Sequence, residues 1–260
     1  MLRIIGHRGA RGLAPENTIA AIKAAIAAGV DGIEFDIQIT ADKQLVLSHD
    51  PSLDRYGENA EAWKFWQKKG HKISSLGLEE LKQVTSEIGQ PIPTLQEALT
   101  AAKDTPVIIE GKGDNWAKHL GTFLATHPKK SQCTVIAFNH HELFTFGQYC
   151  PSIPCFALEN RNPFDAINDA RIFGFDGIDV NYWVLNPLAY WLAKRHKFEV
   201  VVYTVNKPWI ASFFKLLYPK LSITTDNPHK MQFLRPKRLR VKPVKPKKGL
   251  KRTIQKNILV

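Results

Sequence analysis

Six polar side chains in the first half of this 260-residue chain have types and spacing that could build one reaction centre: His7, Arg8, Glu34, Asp36, His49 and Glu110. Glu34 and Asp36 stand two apart in the apolar run GIEFDIQI, and Glu110 ends a second apolar run, PVIIEGK. Side chains two apart on a strand project from the same face. Carboxylates crowded onto a buried face are costly unless something cationic joins them. Three of them at strand ends make an oxygen-ligand site for a hard divalent ion, Mg2+ or Ca2+, better than a zinc site. The competing reading is a set of ordinary ion pairs to Lys112 or Arg8, which explains one acid more easily than three together.

His7 follows the first apolar run in IIGHRGARG, and His49 closes another in LVLSHDPS. A lone histidine is more often a structural hydrogen-bonding group than a catalyst. Two beside a carboxylate triad could share the base and acid roles that phosphodiester cleavage needs. Arg8 offers a fixed fork for phosphate oxygens and Lys112 a compact second charge, a rim salt bridge being the alternative for Lys112. Gly6, Gly9 and Gly12 match neither the dinucleotide fingerprint nor the phosphate loop, and are expected to give backbone room beside a charged ligand. His71, His119, His127, His140, His141, His196 and His229 lack partners at ligand spacing and are expected at the surface.

The elements that must position these groups alternate along the chain. Strand-like runs occur at Leu2 to Gly6, Gly32 to Gln38, Leu45 to His49, Val107 to Glu110, Thr134 to Phe138, Ile153 to Leu158, Gly177 to Val180, Glu199 to Thr204 and Leu221 to Thr224. Amphipathic helical stretches separate most of them, the first capped by Asn17 or Thr18 and stopped at Gly29. The link Ile39 to Gln44 is too short for a parallel crossover, so residues 32–49 should form an antiparallel hairpin. A turn centred on Ala41 and Asp42 would set His49 opposite Glu34. Without the returning strand eight remain, which predicts an α/β fold of the TIM-type (β/α)8 barrel class.

Residues 1–234 are expected to form that barrel, with 50–75 an excursion over its mouth and 235–260 a disordered basic tail. The net charge of +12 belongs to the tail: residues 230–260 carry 12 Lys or Arg and no acid, leaving 36 − 12 = 24 basic against 24 acidic groups elsewhere. From charge counting, attraction to an anionic membrane surface or to nucleic acid is therefore expected of residues 235–260 rather than of the barrel. Three cysteines without a metal or disulfide spacing suit a reducing compartment. The apolar start MLRII is too short for a signal segment, and no run is long enough to span a membrane, so a cytoplasmic location is expected.

Taken jointly, HRGARGLAPENT (His7 to Thr18), GIEFDIQITADKQLVLSHDPSLDR (Gly32 to Arg55), IPTLQEAL and IIEGK resemble the glycerophosphodiester phosphodiesterases, with weaker likeness at IAFNHHEL, YTVN and TTDNP. The resemblance implies a TIM-type barrel that releases glycerol 3-phosphate and an alcohol from a glycerophosphodiester. It implies His7 and His49 as the acid/base pair and Glu34, Asp36 and Glu110 as holders of one divalent cation. Arg8 and Lys112 would bind phosphate, Glu16 and Asn17 would shape the first loop, and Phe138 and Tyr203 would line the substrate pocket. The chain departs from the family at Tyr203, where Trp is usual, and at DRYGENAEAW, where a Thr-rich turn is usual. Both lie near the expected glycerol or alcohol contacts. The alternatives are a lysophospholipase D acting on lipid, and an inactive barrel that serves as a binding protein.

Overall fold

Nine runs rich in Ile, Val and Leu form strands in the computed structural model, which describes residues 2–53, 72–83, 91–218 and 220–235. They are β1 (Arg3–Gly6), β2 (Gly32–Ile39), β3 (Leu45–Leu47), β4 (Val107–Gly111), β5 (Cys133–Ala137), β6 (Cys155–Glu159), β7 (Gly177–Asn181), β8 (Glu199–Tyr203) and β9 (Ser222–Thr225). All but β3 are parallel, and β1 pairs with both β2 and β9, so the eight close into a barrel with no free edge. The helices are α1 (Ile19–Ala27), α2 (Leu78–Lys82), α3 (Leu95–Ala102), α4 (Trp116–Ala125), α5 (His140–Tyr149), α6 (Pro163–Phe173), α7 (Pro187–Arg195) and α8 (Pro208–Leu217).

Local chemistry accounts for many of these limits. Thr18 caps α1 by accepting from the backbone of Ala21, and Thr94 and Glu97 form a reciprocal capping box at α3. Proline occupies the first turn of α6, α7 and α8, where its missing N–H costs nothing. Most strand ends fall within two residues of the sequence expectation.

Alternation along each strand separates two kinds of interior. Ile33, Phe35 and Ile37 face the helices and join the main hydrophobic core, whereas Glu34 and Asp36 face into the barrel. Beneath them an apolar floor of Ile5, Ile108, Ile136, Phe156, Leu158 and Val201 fills the barrel. Gly177 makes this floor possible, since a Cβ there would lie 2.8 Å from the Phe156 ring. Polar groups near the C-terminal strand ends thus stand on a dry base, as barrel enzymes require.

The hairpin forms, but its register differs from expectation. Ile37 pairs with Leu47 and Ile39 with Leu45, which centres the turn on Asp42 and, if continued, would oppose His49 to Phe35 rather than Glu34. The cause is the turn: Lys43 is left-handed at φ 65° and donates to Thr40 O, giving a three-residue loop where an even-numbered one was expected. A one-residue slip would put His49 on the wrong face, but β3 ends at Leu47 and the chain turns away before His49. The glycines also serve differently. A Cβ at Gly9 (φ 85°) would strike Ala21 at 2.6 Å, and one at Gly12 would strike Asp226 O at 2.7 Å. Their room is used to seat the first loop against α1 and the β9 connection, not to admit a ligand.

Both ends of the expected excursion are held. Ser52 bridges Lys72, and Leu53, Ile73 and Leu76 join Val46, Leu81 and Ile92 in a small separate core. Residues 54–71, with His71, and the basic segment 236–260 lie outside the described residues.

Candidate active site

The loop after β1 is folded by the acids it serves. His7 N donates to Thr225 O, while Arg8 N donates to Glu34 Oε2 at 2.7 Å and Gly9 N to the Glu34 carbonyl. These bonds hold Arg8 in the left-handed region at φ 49°, a conformation that costs a non-glycine residue about 1–2 kcal/mol. The guanidinium then lies 2.7 Å from Glu16 and 3.3 Å from Asp36 Oδ2. Burial opposes its charge, yet Asp36, Glu16 and Glu34 together hold the proton more firmly than usual. Asn17, also left-handed, clasps Asp36 twice: Nδ2 donates to Oδ2 at 2.9 Å, and Oδ1 accepts from the Asp36 backbone. Both supporting-loop residues therefore act on the centre, Glu16 through Arg8 and Asn17 directly.

Glu34, Asp36 and Glu110 come together from β2 and β4, whose parallel register sets Asp36 beside Glu110. Each offers an oxygen within 4.8 Å of the others, and all three residues are buried. Lys112 reaches in from the end of β4, 2.5 Å from Glu110 and 3.2 Å from Asp36. The ion-pair reading and the triad reading thus hold together, since Arg8 and Lys112 pair with acids that also cluster. Two cations cannot balance three carboxylates. Burial drives Glu34 well above the usual carboxylate range, aided by Asp36 and Glu110, and burial with Asp36 pushes Glu110 up to about 8. Burial alone would raise Asp36 too, but Lys112, Arg8 and His49 hold it below the usual range. Buried Glu34 Oε1 has no hydrogen-bond partner among the described residues. An all-oxygen, under-neutralised cluster of this kind fits a metal ion.

The histidines are each tied to an acid. His7 Nδ1 lies 2.6 Å from Asp226 Oδ1, and its Nε2 points toward the cluster, 4.0 Å from Glu34 Oε2. Asp226 is held in turn by Asn206, which donates at 2.6 Å and accepts from the Asp226 backbone, and by Arg11 at 3.3 Å. Burial would raise Asp226, but His7, Arg11 and Asn206 keep it below its ordinary value. His49 Nδ1 lies 2.6 Å from Asp50 Oδ1. Burial lowers the His49 imidazole, with Arg8 and Lys112 adding to the effect and Asp36 opposing it.

His7, Arg8, Arg11, Glu34, His49, Glu110 and Lys112 line one cavity of about 460 Å3 at the C-terminal end of the barrel, with Asp36 buried beside them. Its far wall, from β5 to β9, includes Phe138 and Tyr203. Phe138 is exposed at the rim, its ring 6.0 Å from Lys112 Nζ, while the Tyr203 hydroxyl donates to Glu159 O. Asp179 of β7 also lines this wall. It is only 2% exposed, its Oδ1 has no hydrogen-bond partner, and burial, with Glu110, raises its carboxyl well above the usual range.

Sequence reasoning singled out eleven residues, of which His7, Arg8, Glu34, His49, Glu110, Lys112, Phe138 and Tyr203 line this cavity, while Glu16 and Asp36 lie against Arg8 and Asn17 against Asp36. It assigned no role to Asp226, Asn206, Asp50 or Asp179. TTDNP and YTVN are family-like segments that could have pointed to the Asp226–Asn206 pair. Asp179 is marked only by an acid in an otherwise uncharged strand, GIDVN. The remaining histidines need correction as a group. His127 is buried and accepts from the Lys129 backbone, and His140, at the start of α5, lies 2.7 Å from Asp169. His119, His196 and His229 are half-buried, leaving His141 as the exposed member among the described residues. Short-range polar partners a turn or a helix away, which no ligand spacing reveals, satisfy His127 and His140.

A glycerophosphodiester phosphodiesterase of Bacillus subtilis is 27% identical over 229 residues, spanning 78% of this chain and 76% of that protein. A glycerophosphodiester phosphodiesterase of Parabacteroides distasonis has a crystal structure that superposes with a TM-score of 0.70 at 25% identity, covering 90% of this chain and 96% of that one. A phosphodiesterase of Oleispira antarctica, solved with its product sn-glycerol 3-phosphate, shares the fold with a TM-score of 0.78 at 23% identity over 89% of this chain and 95% of that one. Residues 7–230 match the glycerophosphoryl diester phosphodiesterase family, and the chain is a member of it.

Proposed function

We propose that this protein hydrolyses glycerophosphodiesters to sn-glycerol 3-phosphate and an alcohol, using the cavity at the C-terminal end of the barrel. The observation that carries this reading is the meeting, at one cavity, of three under-neutralised carboxylates, two acid-tethered histidines and two cations. Family membership and the product bound by the Oleispira relative support the substrate class. Glu34, Asp36 and Glu110 hold one divalent ion, Mg2+ or Ca2+, to which all-oxygen ligands are suited. Held there, such an ion would supply charge stabilisation to the substrate phosphate and would lower the pKa of a nearby hydroxyl.

The protein's own groups do the rest. Arg8 and Lys112 clamp the phosphate oxygens, and Asn17 and Glu16 fix Asp36 and Arg8 in place. Asp226 and Asp50 accept Nδ1–H of His7 and His49, which leaves each Nε2 free to exchange a proton with substrate. One imidazole takes the proton of the neighbouring glycerol hydroxyl as its oxygen attacks phosphorus. The other protonates the departing alcohol, giving a cyclic phosphate. Water then opens the ring with the proton roles reversed. Phe138 and Tyr203 form the wall for the organic part of the substrate. The three cysteines are free and buried, in keeping with a cytoplasmic site of action.

The test is release of glycerol 3-phosphate from glycerophosphocholine with Mg2+ or Ca2+, before and after EDTA. Turnover that EDTA abolishes and either ion restores is expected. Metal-replete protein that releases no glycerol 3-phosphate from any headgroup would leave only a binding role for the barrel.

A further inference from the structure

Helix α8 presents apolar side chains around most of its circumference. Ile210, Ala211 and Phe214 are buried against the barrel, as one face of a surface helix should be. Trp209, Phe213, Leu216 and Leu217, at helical spacing i, i+4, i+7 and i+8, form a second apolar stripe facing solvent, with Trp209 67% and Leu216 81% exposed. Only Ser212 and Lys215 interrupt the helix with polarity.

Beside it, Tyr190 of α7 meets Tyr218, just past the end of α8, with 4.6 Å between the centroids of tilted rings, and α7 exposes Leu188 and Trp191. Toward the site, the Tyr182 ring lies 6.3 Å from that of Phe214 on α8 and 4.9 Å from that of Trp183. Trp183, in the connection between β7 and α7, is 76% exposed and lines the cavity mouth. Scattered exposed apolar residues are ordinary, but a contiguous aromatic face marks an interaction surface.

The charge around this face selects the partner. From Val180 to Thr225 the sequence has six Lys or Arg and a single acid, Glu199, although residues 1–229 as a whole are balanced. Arg195, Lys197, Lys207, Lys215 and Lys220 are exposed on or beside the two helices. The segment Pro228–Leu234 packs against α8, and the chain leaves it into residues 236–260, which carry no acid. A second copy of this chain would bring like charges together, and residues 236–260 are too basic to cover the stripe without the same repulsion. Trp, Phe and Leu bordered by Lys and Arg suit the boundary between lipid headgroups and acyl chains. Among the described residues no helix is long and apolar enough to cross a membrane, so the fit is to its surface.

We infer that the outer face of α7 and α8 docks this protein on an anionic phospholipid surface, with the cavity mouth beside the lipid through Trp183. This surface is distinct from the catalytic groups, and the inference stands whether or not glycerophosphodiesters are the substrate.

The experiment compares the full chain with a combined Trp209→Gln, Phe213→Gln, Leu216→Gln variant on phosphatidylcholine vesicles with and without phosphatidylglycerol. Wild-type protein is expected to co-sediment with the anionic vesicles, to release with salt, and to show tryptophan quenching by brominated acyl chains. Residues 236–260 contain no Trp, so binding through that segment alone gives no such quenching. The variant is expected to bind at least about tenfold more weakly, with unchanged thermal midpoint and unchanged turnover of soluble glycerophosphocholine. Three results would each overturn the inference: no wild-type partitioning onto anionic vesicles, equal partitioning of the variant, or a wild-type dimer that the substitutions dissociate without any vesicle binding.

Discussion

The two sides of the barrel mouth both bury carboxyl groups on inward strand positions, and they treat them in opposite ways. On the side of β1, β2 and β4, Glu34, Asp36 and Glu110 lie within reach of Arg8, Lys112 and Asn17, so charge is crowded but contested. On the side of β7 to β9, Asp179 pairs across the strands with Leu158 and Val201, and its buried Oδ1 has no hydrogen-bond partner among the described residues. The first arrangement is a charged machine that needs one more positive group. The second is a single acid in the cavity wall, its carboxyl raised well above the usual range by burial and Glu110. The same kind of side chain is thus a ligand candidate in one setting and an unpaired buried group in the other, decided by which charged groups lie within reach.

Substitutions should break this contrast in graded fashion. His7→Ala and His49→Ala are expected to lower turnover of glycerophosphocholine by roughly a hundredfold or more each, the scale of a lost acid or base. Near-normal steady-state rates in both would remove the charged side from the chemistry. Asp226→Asn leaves the His7 ring in place but removes the charge and one of the two acceptor oxygens that serve His7 and Asn206, so the amide no longer fixes the tautomer and orientation of His7. Its kcat should fall by up to about a hundredfold with little change in KM, and an unchanged kcat would reduce Asp226 to a structural role.

Asp179→Leu should act in the other direction, raising stability by about 1–3 kcal/mol because an unsatisfied buried polar group is replaced by an apolar one of similar size. The gain depends on pH. The Asp179 carboxyl holds its proton to higher pH in the folded protein than in the unfolded chain. Native stability from this group is therefore present below the unfolded value of about 4 and lost as pH rises through the folded value. Thermal midpoints of wild type and variant should lie close together at low pH and diverge toward neutral pH. A difference that shrinks with rising pH would mean that Asp179 has a partner after all.

Much of the barrel could be read from composition and spacing. Strands such as PVIIEG and EVVVY are short β-branched runs between capped helices, and the short Ile39–Gln44 link could only be a hairpin. Glu34 and Asp36 announced themselves because charge two apart in an apolar strand has few structural excuses. The hairpin register was not legible, since it turned on one left-handed residue, Lys43. Nor were the tethers of His7, because Asp226 lies 219 residues away and meets it only through barrel closure. Asp179 looked ordinary for the same reason: in sequence an isolated acid does not reveal whether a cation faces it.

By itself, then, the sequence determined the strand and helix pattern, the closed eight-fold count and the chemical identities of the groups at the mouth, because period, capping and residue type are local properties. Tertiary structure alone decided which groups meet. It set Asp226 behind His7, pressed Lys112 between Asp36 and Glu110, isolated Asp179, and left the aromatic stripe of α8 facing outward. Electrostatic and hydrophobic consequences depend on distance and burial in space, and those are fixed only when the first and last strands of the barrel join.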